Sequence, residues 1–263
     1  MSARVVALAC RTSDRTEAGA RGAQMLAERV AAVAEVAART VGSPGTPRAA
    51  GWADDLRDGR GCLLEAGGQA ADAWADGDRP LLFASECSIA LTTLAAAVAH
   101  RPAARIVWLD AHGDFNTPAT TPSGYLGGMC LAGACGRWDA GLGAAPIDAG
   151  RVVTCGVRDV DAGERVELER AGVVRADPAT LASLVRDERV FVHLDVDVLD
   201  PRVMPAQFPA PLGLSLEGLG RLLAELAGAA DVMGAEVTAF EPLPGPAGDR
   251  LADQLAAILV PLT

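Results

Sequence analysis

Asp110, His112 and Asp114 stand two residues apart in "WLDAHGDFNTP", and Asp195, Asp197 and Asp200 crowd the stretch "HLDVDVLDP". Both stretches follow apolar runs, and a spacing of two puts side chains on one face of an extended segment. Each cluster is therefore expected to aim two or three donors at one point. Four or five carboxylates brought together repel one another strongly unless cations neutralise them. Oxygen-rich donors with a single imidazole suit hard divalent ions such as Mn2+. A lone aspartate after a strand is often just a cap for the next segment. Two clusters of this kind, each after a buried strand, point to a metal centre instead.

Cys87 is the third candidate. In "FASECSIALTTLA" it sits with Glu86 and Ser88 where the strand-like run "RPLLFA" gives way to an Ala/Leu-rich helix. Side chains at such a junction project past the carboxyl end of a strand, where open parallel sheets carry their chemistry. The chain's six cysteines, at 10, 62, 87, 130, 135 and 155, show no C-x-x-C spacing. In a reducing compartment they are expected to be buried free thiols.

The elements that must position these residues alternate along the chain. Strand-like runs are "RVVALAC", "PLLFA", "RIVWLD", "RVVTCGV", "VFVHLDVD" and "DVMGAEVTAF". Helical stretches are expected over about 17–39, from Ser88, near "GERVELERAG", from Ser215 and from about 248. Strands apolar on both faces and separated by helices indicate a parallel sheet covered on both sides. Segments 42–51 and 242–248 read as surface loops, so 1–263 is expected to be one domain.

Composition narrows the function classes. The 263 residues are 50 % hydrophobic, enough for a sizeable core, and at 4 % aromatics that core falls to Ala, Val and Leu. A net charge of −11 argues against a nucleic-acid partner. All 23 basic residues are Arg, which reads as a codon signature. The apolar stretch before Arg11 is too short for a signal peptide and no run reaches membrane-spanning length. A cytoplasmic chain with a small-molecule partner is expected, and homo-oligomerisation is left open.

"DAHGDFNTP" and "DVDVLDP" resemble the second and third signatures of the arginase/agmatinase family, the ureohydrolases, and "GVRDVDAGE" resembles the family loop that contacts a substrate α-amino group. The resemblance runs from about residue 80 to 242. It implies a three-layer α/β/α sandwich around a mainly parallel sheet, and two Mn2+ per chain. Asp110 and Asp195 would bridge the metals, Asp114 would complete one, and His112 and Asp197 the other. Asp114 and Asp195 would also be catalytic positions. Asn116 and Ser123 match positions holding a substrate α-carboxylate, and Asp161 the one holding its α-amino group.

Three departures from the family pattern matter. Cys87 stands where the first signature has a metal-binding His; either its sulfur is a ligand, or it is a small thiol beside a metal with one ligand fewer. Gly127 aligns with the proton-shuttle His of arginases, and Ala239 with the Glu that receives the guanidinium group. Glu241 would face the same way as Ala239, and could substitute, if that segment stays extended. The resemblance thus implies an amidinohydrolase acting on an arginine-like amino acid, with the retained α-group contacts arguing against agmatine. N-hydroxy-arginine, with its less basic hydroxyguanidine, fits best and would give hydroxyurea and ornithine. The alternatives are an arginase, a formimidoylglutamate hydrolase, or a catalytically dead metal-binding regulatory subunit.

Overall fold

In the computed structural model, which describes residues 2–263, eight strands form one sheet. They are β1 (Ala3–Leu8), β2 (Ala38–Val41), β3 (Arg79–Phe83), β4 (Arg105–Leu109), β5 (Val152–Cys155), β6 (Val174–Ala176), β7 (Arg189–Asp195) and β8 (Asp231–Thr238). Their spatial order is β2-β1-β3-β8-β7-β4-β5-β6, and every neighbouring pair is parallel. One face is covered by α1 (Ala18–Val33), α6 (Pro178–Leu184), α7 (Leu216–Ala229) and α8 (Pro246–Leu259). The other carries α2 (Trp52–Ala75), α3 (Ala90–His100) and α4 (Cys130–Ala134), with α5 (Ala162–Ala171) against its margin. The three-layer arrangement implied by the resemblance is the one found.

Strand alternation divides the core between these faces. Val5, Ala7, Leu81, Phe83, Val107 and Leu109 enter the first core, whereas Val6, Leu8, Leu82, Ile106 and Trp108 enter the second. Both sets are apolar, so these strands read as continuous hydrophobic runs rather than alternating ones. Among the described residues no helix is long and apolar enough to cross a membrane.

Several elements differ from the sequence expectation. Helix α1 ends at Val33, and the last residues assigned to it, 38 and 39, open the edge strand β2. Helix α2 was not anticipated, because its glycines and charges dilute the apolar stripe of Leu63, Ala66, Ala70 and Trp74. Gly67 is there for close approach: a Cβ on it would lie 2.9 Å from the Thr92 Cβ on α3. The cysteine expectation also needs correcting. Cys10 and Cys62 form a disulfide, Cα atoms 5.9 Å apart, tying the end of β1 to α2. The other four cysteines are free, and all but Cys135 are buried.

The site follows from the strand order. β3, β8, β7 and β4 are neighbours, and Cys87 follows the first, Thr238 ends the second, Asp195 ends the third and Asp110 follows the fourth. Sequence-consecutive β3 and β4 are separated by β8 and β7, so connections leave this part of the sheet in different directions. A crevice opens at the carboxyl ends of such strands.

Candidate metal centre

Asp110 is fixed by two donors: Trp108 Nε1 at 3.1 Å and the His112 amide at 2.6 Å. His112 Nδ1 lies 3.0 Å from Asp197 Oδ2 and 3.5 Å from Asp110 Oδ1. Asp197 also accepts from the Ala111 amide at 3.1 Å, which locks the β7 turn to the end of β4. Asp195 accepts from the Asp197 amide at 2.7 Å and from Cys87 Sγ at 2.8 Å. Cys87 itself is 4 % exposed and sits 3.0 Å from Thr238 Oγ1.

The clusters are not simple extended faces. Asp114 has φ 46°, so the chain turns there, and its carboxylate lies beside Cys130 Sγ at 3.6 Å. Asp200 falls outside the centre: it binds Arg202 Nε at 2.7 Å and the Leu212 amide at 3.0 Å, which holds it well below the usual carboxylate range. Gly156 lets these loops close, since a Cβ at its φ of +95° would stand 2.9 Å from the Asp110 carbonyl oxygen.

Electrostatics show what the cluster lacks. Burial, and after it the repulsion of neighbouring carboxylates, raises Asp110, Asp114 and Asp195. Burial followed by Asp195, Asp114 and Asp110 pushes the Cys87 thiol well up. Burial opposes charge on His112, but Asp110 and Asp197 outweigh it and raise the imidazole to about 12. On Asp197 burial is likewise outweighed by His112, and the carboxyl is lowered. One imidazolium cannot neutralise so many acids.

Divalent cations fit the donors present. Donor atoms that share an ion at about 2.0–2.3 Å stand roughly 3 Å apart, the spacing seen here between Cys87 and Asp195 and between His112 and Asp197. Two triads have all their donor atoms within 4.8 Å of one another: Asp110–His112–Asp197 and Cys87–Asp110–His193. Asp110 belongs to both. Asp114 and Asp195 lie outside these two tightest groups but line the same cleft. A thiol, an imidazole and carboxyls bind a cation only in their deprotonated forms, so metal uptake at such a donor set is coupled to proton release.

The cleft in front of the centre has a volume of about 260 Å³. Asn116, Ser123, Asp161 and Glu241 all line it. Asn116 Nδ2 donates to Asp161 Oδ2 at 3.0 Å, while its Oδ1 is buried without a partner. Asp161 caps α5 through a reciprocal capping box with Glu164, whose carboxyl burial raises to about 7. Ser123 Oγ accepts from the Tyr125 amide at 3.2 Å. The extended geometry anticipated before Glu241 is absent, because Ala239 has φ 61°; Glu241 reaches the cleft but is bonded to the Thr16 hydroxyl.

The wall beside Gly127 was not legible beforehand. A Cβ there would lie 2.6 Å from Tyr125 Cε1, so the phenol ring fills the space a side chain at 127 would need. Tyr125 donates its hydroxyl to buried Glu86, and the Arg15 guanidinium lies 4.7 Å from its ring centre. Burial, then Asp14, raises Glu86 far above its ordinary value. His193 and Glu236 were also missed. Their signal was present, as polar residues in the middle of apolar strand runs.

The sequence profile of the arginase family matches residues 53–262. The N(omega)-hydroxy-L-arginine amidinohydrolase of Streptomyces lavendulae is 34 % identical over 259 residues, covering 95 % of this chain and 92 % of that protein. The arginase of Bacillus caldovelox is 37 % identical over 145 residues, 48 % of each chain. The crystal structure of arginase from Bacillus cereus superposes with a TM-score of 0.86 at 24 % identity, covering 99 % of this chain and 97 % of that one.

Proposed function

The chain belongs to the arginase family, and on that premise we propose that it hydrolyses N-hydroxy-L-arginine to hydroxyurea and L-ornithine. That it is a C–N hydrolase of the amidinohydrolase kind goes with the family. The substrate rests on the cleft, read as part of one ureohydrolase domain spanning 1–263. The observation that carries it is the filled space at Gly127: a Tyr125 ring occupies it, and Ala239 offers only a methyl group where a carboxylate would meet a guanidinium. The metal-facing side of the cleft keeps its acids, while the side that would recognise arginine is rebuilt. The Streptomyces relative, by its name, acts on N-hydroxy-L-arginine.

Two Mn2+ are the ions we assign to the centre. Cys87, Asp110, Asp114 and Asp195 would hold one, and Asp110, His112, Asp195 and Asp197 the other. Bound there, the pair would supply Lewis-acid polarisation and an activated water. Asp161 and the unpartnered Asn116 Oδ1 are acceptors for the substrate's α-ammonium, while Ser123 and the free Asn116 amide hydrogen face its α-carboxylate. Glu86 and Glu241 are the acidic side chains left on the cleft wall to meet the hydroxyguanidine. Hydrolysis adds the oxygen of water to the guanidino carbon and breaks that carbon's bond to Nε, which leaves as the δ-amine of ornithine carrying one of the water's protons while hydroxyurea keeps the other. Asp114 and Asp195 would be the carboxyls that move that proton.

The test is a substrate panel. Mn2+-loaded protein is offered N-hydroxy-arginine, arginine, agmatine and formimidoylglutamate, and products are identified by mass. Hydroxyurea and ornithine should accumulate from the first, with agmatine and formimidoylglutamate untouched. No turnover of any guanidino compound would return the chain to the class of inactive metal-binding subunits.

Cys87 gives a second test. Cys87→Ser should weaken the first ion by at least about tenfold, or 1.4 kcal/mol, and Cys87→His should restore its binding. Metal titration under a competing chelator reads both. Full occupancy and full rate in Cys87→Ala would reduce the thiol to packing.

A further inference from the structure

His193 lies in the middle of β7 with 0 % exposure, beneath the cluster rather than in its cleft. Register sets it between two neighbours: Trp108 on β4 pairs with it on one side, and Glu236 on β8 on the other. The Trp108 and His193 rings stack with centroids 3.5 Å apart and planes 4° from parallel, so the imidazole has one orientation. His193 Nδ1 is 2.7 Å from Glu236 Oε1, and Thr93 on α3 donates to Glu236 Oε2 at 2.5 Å. A Glu236 carboxylate that accepts at both oxygens takes the ring proton at Nδ1 and leaves the imidazole lone pair on Nε2.

That Nε2 is buried and has no partner. An unsatisfied buried polar atom is costly, yet two further buried polar groups, Glu236 and Thr93, are arranged to orient this one. A ring nitrogen of His193 falls within 4.8 Å of both the Cys87 sulfur and an Asp110 carboxylate oxygen. Two donors on opposite sides of one ion at about 2.0–2.3 Å are roughly 4.6 Å apart, so three donors within 4.8 Å of one another need only a small inward shift to share a cation. An imidazole whose other nitrogen donates to a carboxylate is also the usual state of a metal-bound histidine.

We propose that His193 is a nitrogen ligand of the ion held by Cys87 and Asp110, with Glu236 and Thr93 as its supports. The imidazole that Cys87 removes from the junction after β3 is in this way supplied from the floor of the sheet, on β7. The inference rests on the metal-centre reading above. It makes the first ion's donor set sulfur, nitrogen and carboxylate together.

The test uses full-length protein carrying 15N-histidine and one to two equivalents of Mn2+, read by pulsed electron paramagnetic resonance. The chain has three histidines, and His100 is stacked on Trp74, away from the centre. Nitrogen couplings from two imidazoles, His112 and His193, are expected in the unmodified protein. His193→Gln should remove one coupling and weaken one ion by about 10–100-fold, with Glu236→Gln weakening the same ion within that range. Two bound ions with a single imidazole coupling would overturn the ligand assignment while leaving the binuclear centre standing. A fall in metal-free stability with affinity and couplings unchanged would likewise overturn it, as the mark of a structural histidine. Unmodified protein that binds no metal would remove the centre itself. Should His193→Gln fail to fold, the couplings of the unmodified protein decide alone.

Discussion

Asp195→Asn is expected to strip both metals from the protein and abolish hydrolysis. Asp195 is where the two halves of the centre join: one oxygen accepts from the Asp197 amide and the other from Cys87. The amide has nearly the same shape but carries no charge, and it would present hydrogens toward the sulfur or the cation. Losing a metal-derived stabilisation of several kcal/mol corresponds to a rate loss of about a thousandfold or more. Asp110→Asn should behave alike, since Asp110 belongs to both compact donor triads. Asp200→Asn is the contrast, because Asp200 secures its own loop through Arg202 and Leu212 and should leave metal content unchanged. Elemental analysis alongside circular dichroism separates metal loss from unfolding. Two metals retained in folded Asp195→Asn protein would break the assignment.

The second large effect comes from exchanging the rebuilt wall. Gly127→His alone forces a Cβ to within 2.6 Å of Tyr125 Cε1, and overpacking of this kind costs about 1–3 kcal/mol. A lowered melting temperature and reduced turnover of every substrate are expected. Tyr125→Ala together with Gly127→His clears the ring and admits the imidazole. Adding Ala239→Glu places a carboxylate without a new backbone penalty, because Ala239 already adopts a left-handed conformation. General acid–base catalysis is worth about 10²–10⁴-fold, so arginine turnover by the triple variant should rise by about a hundredfold over the unmodified protein. Steady-state kinetics on arginine check this. An unchanged arginine rate in a stable triple variant would show that the missing imidazole and carboxylate do not limit specificity.

Much of this site was legible from residue types and spacing. Asp110, His112, Asp195 and Asp197 announce themselves because carboxylates after buried strands have little to do except bind cations or cap. Cys87 was legible as a position, and its role as a ligand was expected from the family signature it interrupts rather than from its own neighbours. What the sequence hid depends on torsion and on partners distant along the chain. The turn at Asp114 and the left-handed Ala239 are single dihedrals with no glycine to mark them. Tyr125 occupying the space at Gly127 is a packing fact, invisible in a string where the two are simply neighbours. His193 and Glu236 were concealed within strand runs whose hydrophobicity made burial obvious and chemistry easy to overlook. In the fold, the glycine-laden α2 and the short strands β2 and β6 escaped because their periodic signal is weak, and the Cys10–Cys62 link because its partners lie 52 residues apart.

The comparison of kcat/KM for N-hydroxy-arginine with that for arginine, on one batch of unmodified protein with metal content measured, bears most directly on a centre that keeps its metals and has changed its guanidinium recognition. A ratio of at least about tenfold in favour of N-hydroxy-arginine is expected, or 1.4 kcal/mol of transition-state binding. Equal or better turnover of arginine by that same protein would contradict it and leave an arginase with an unusual ligand.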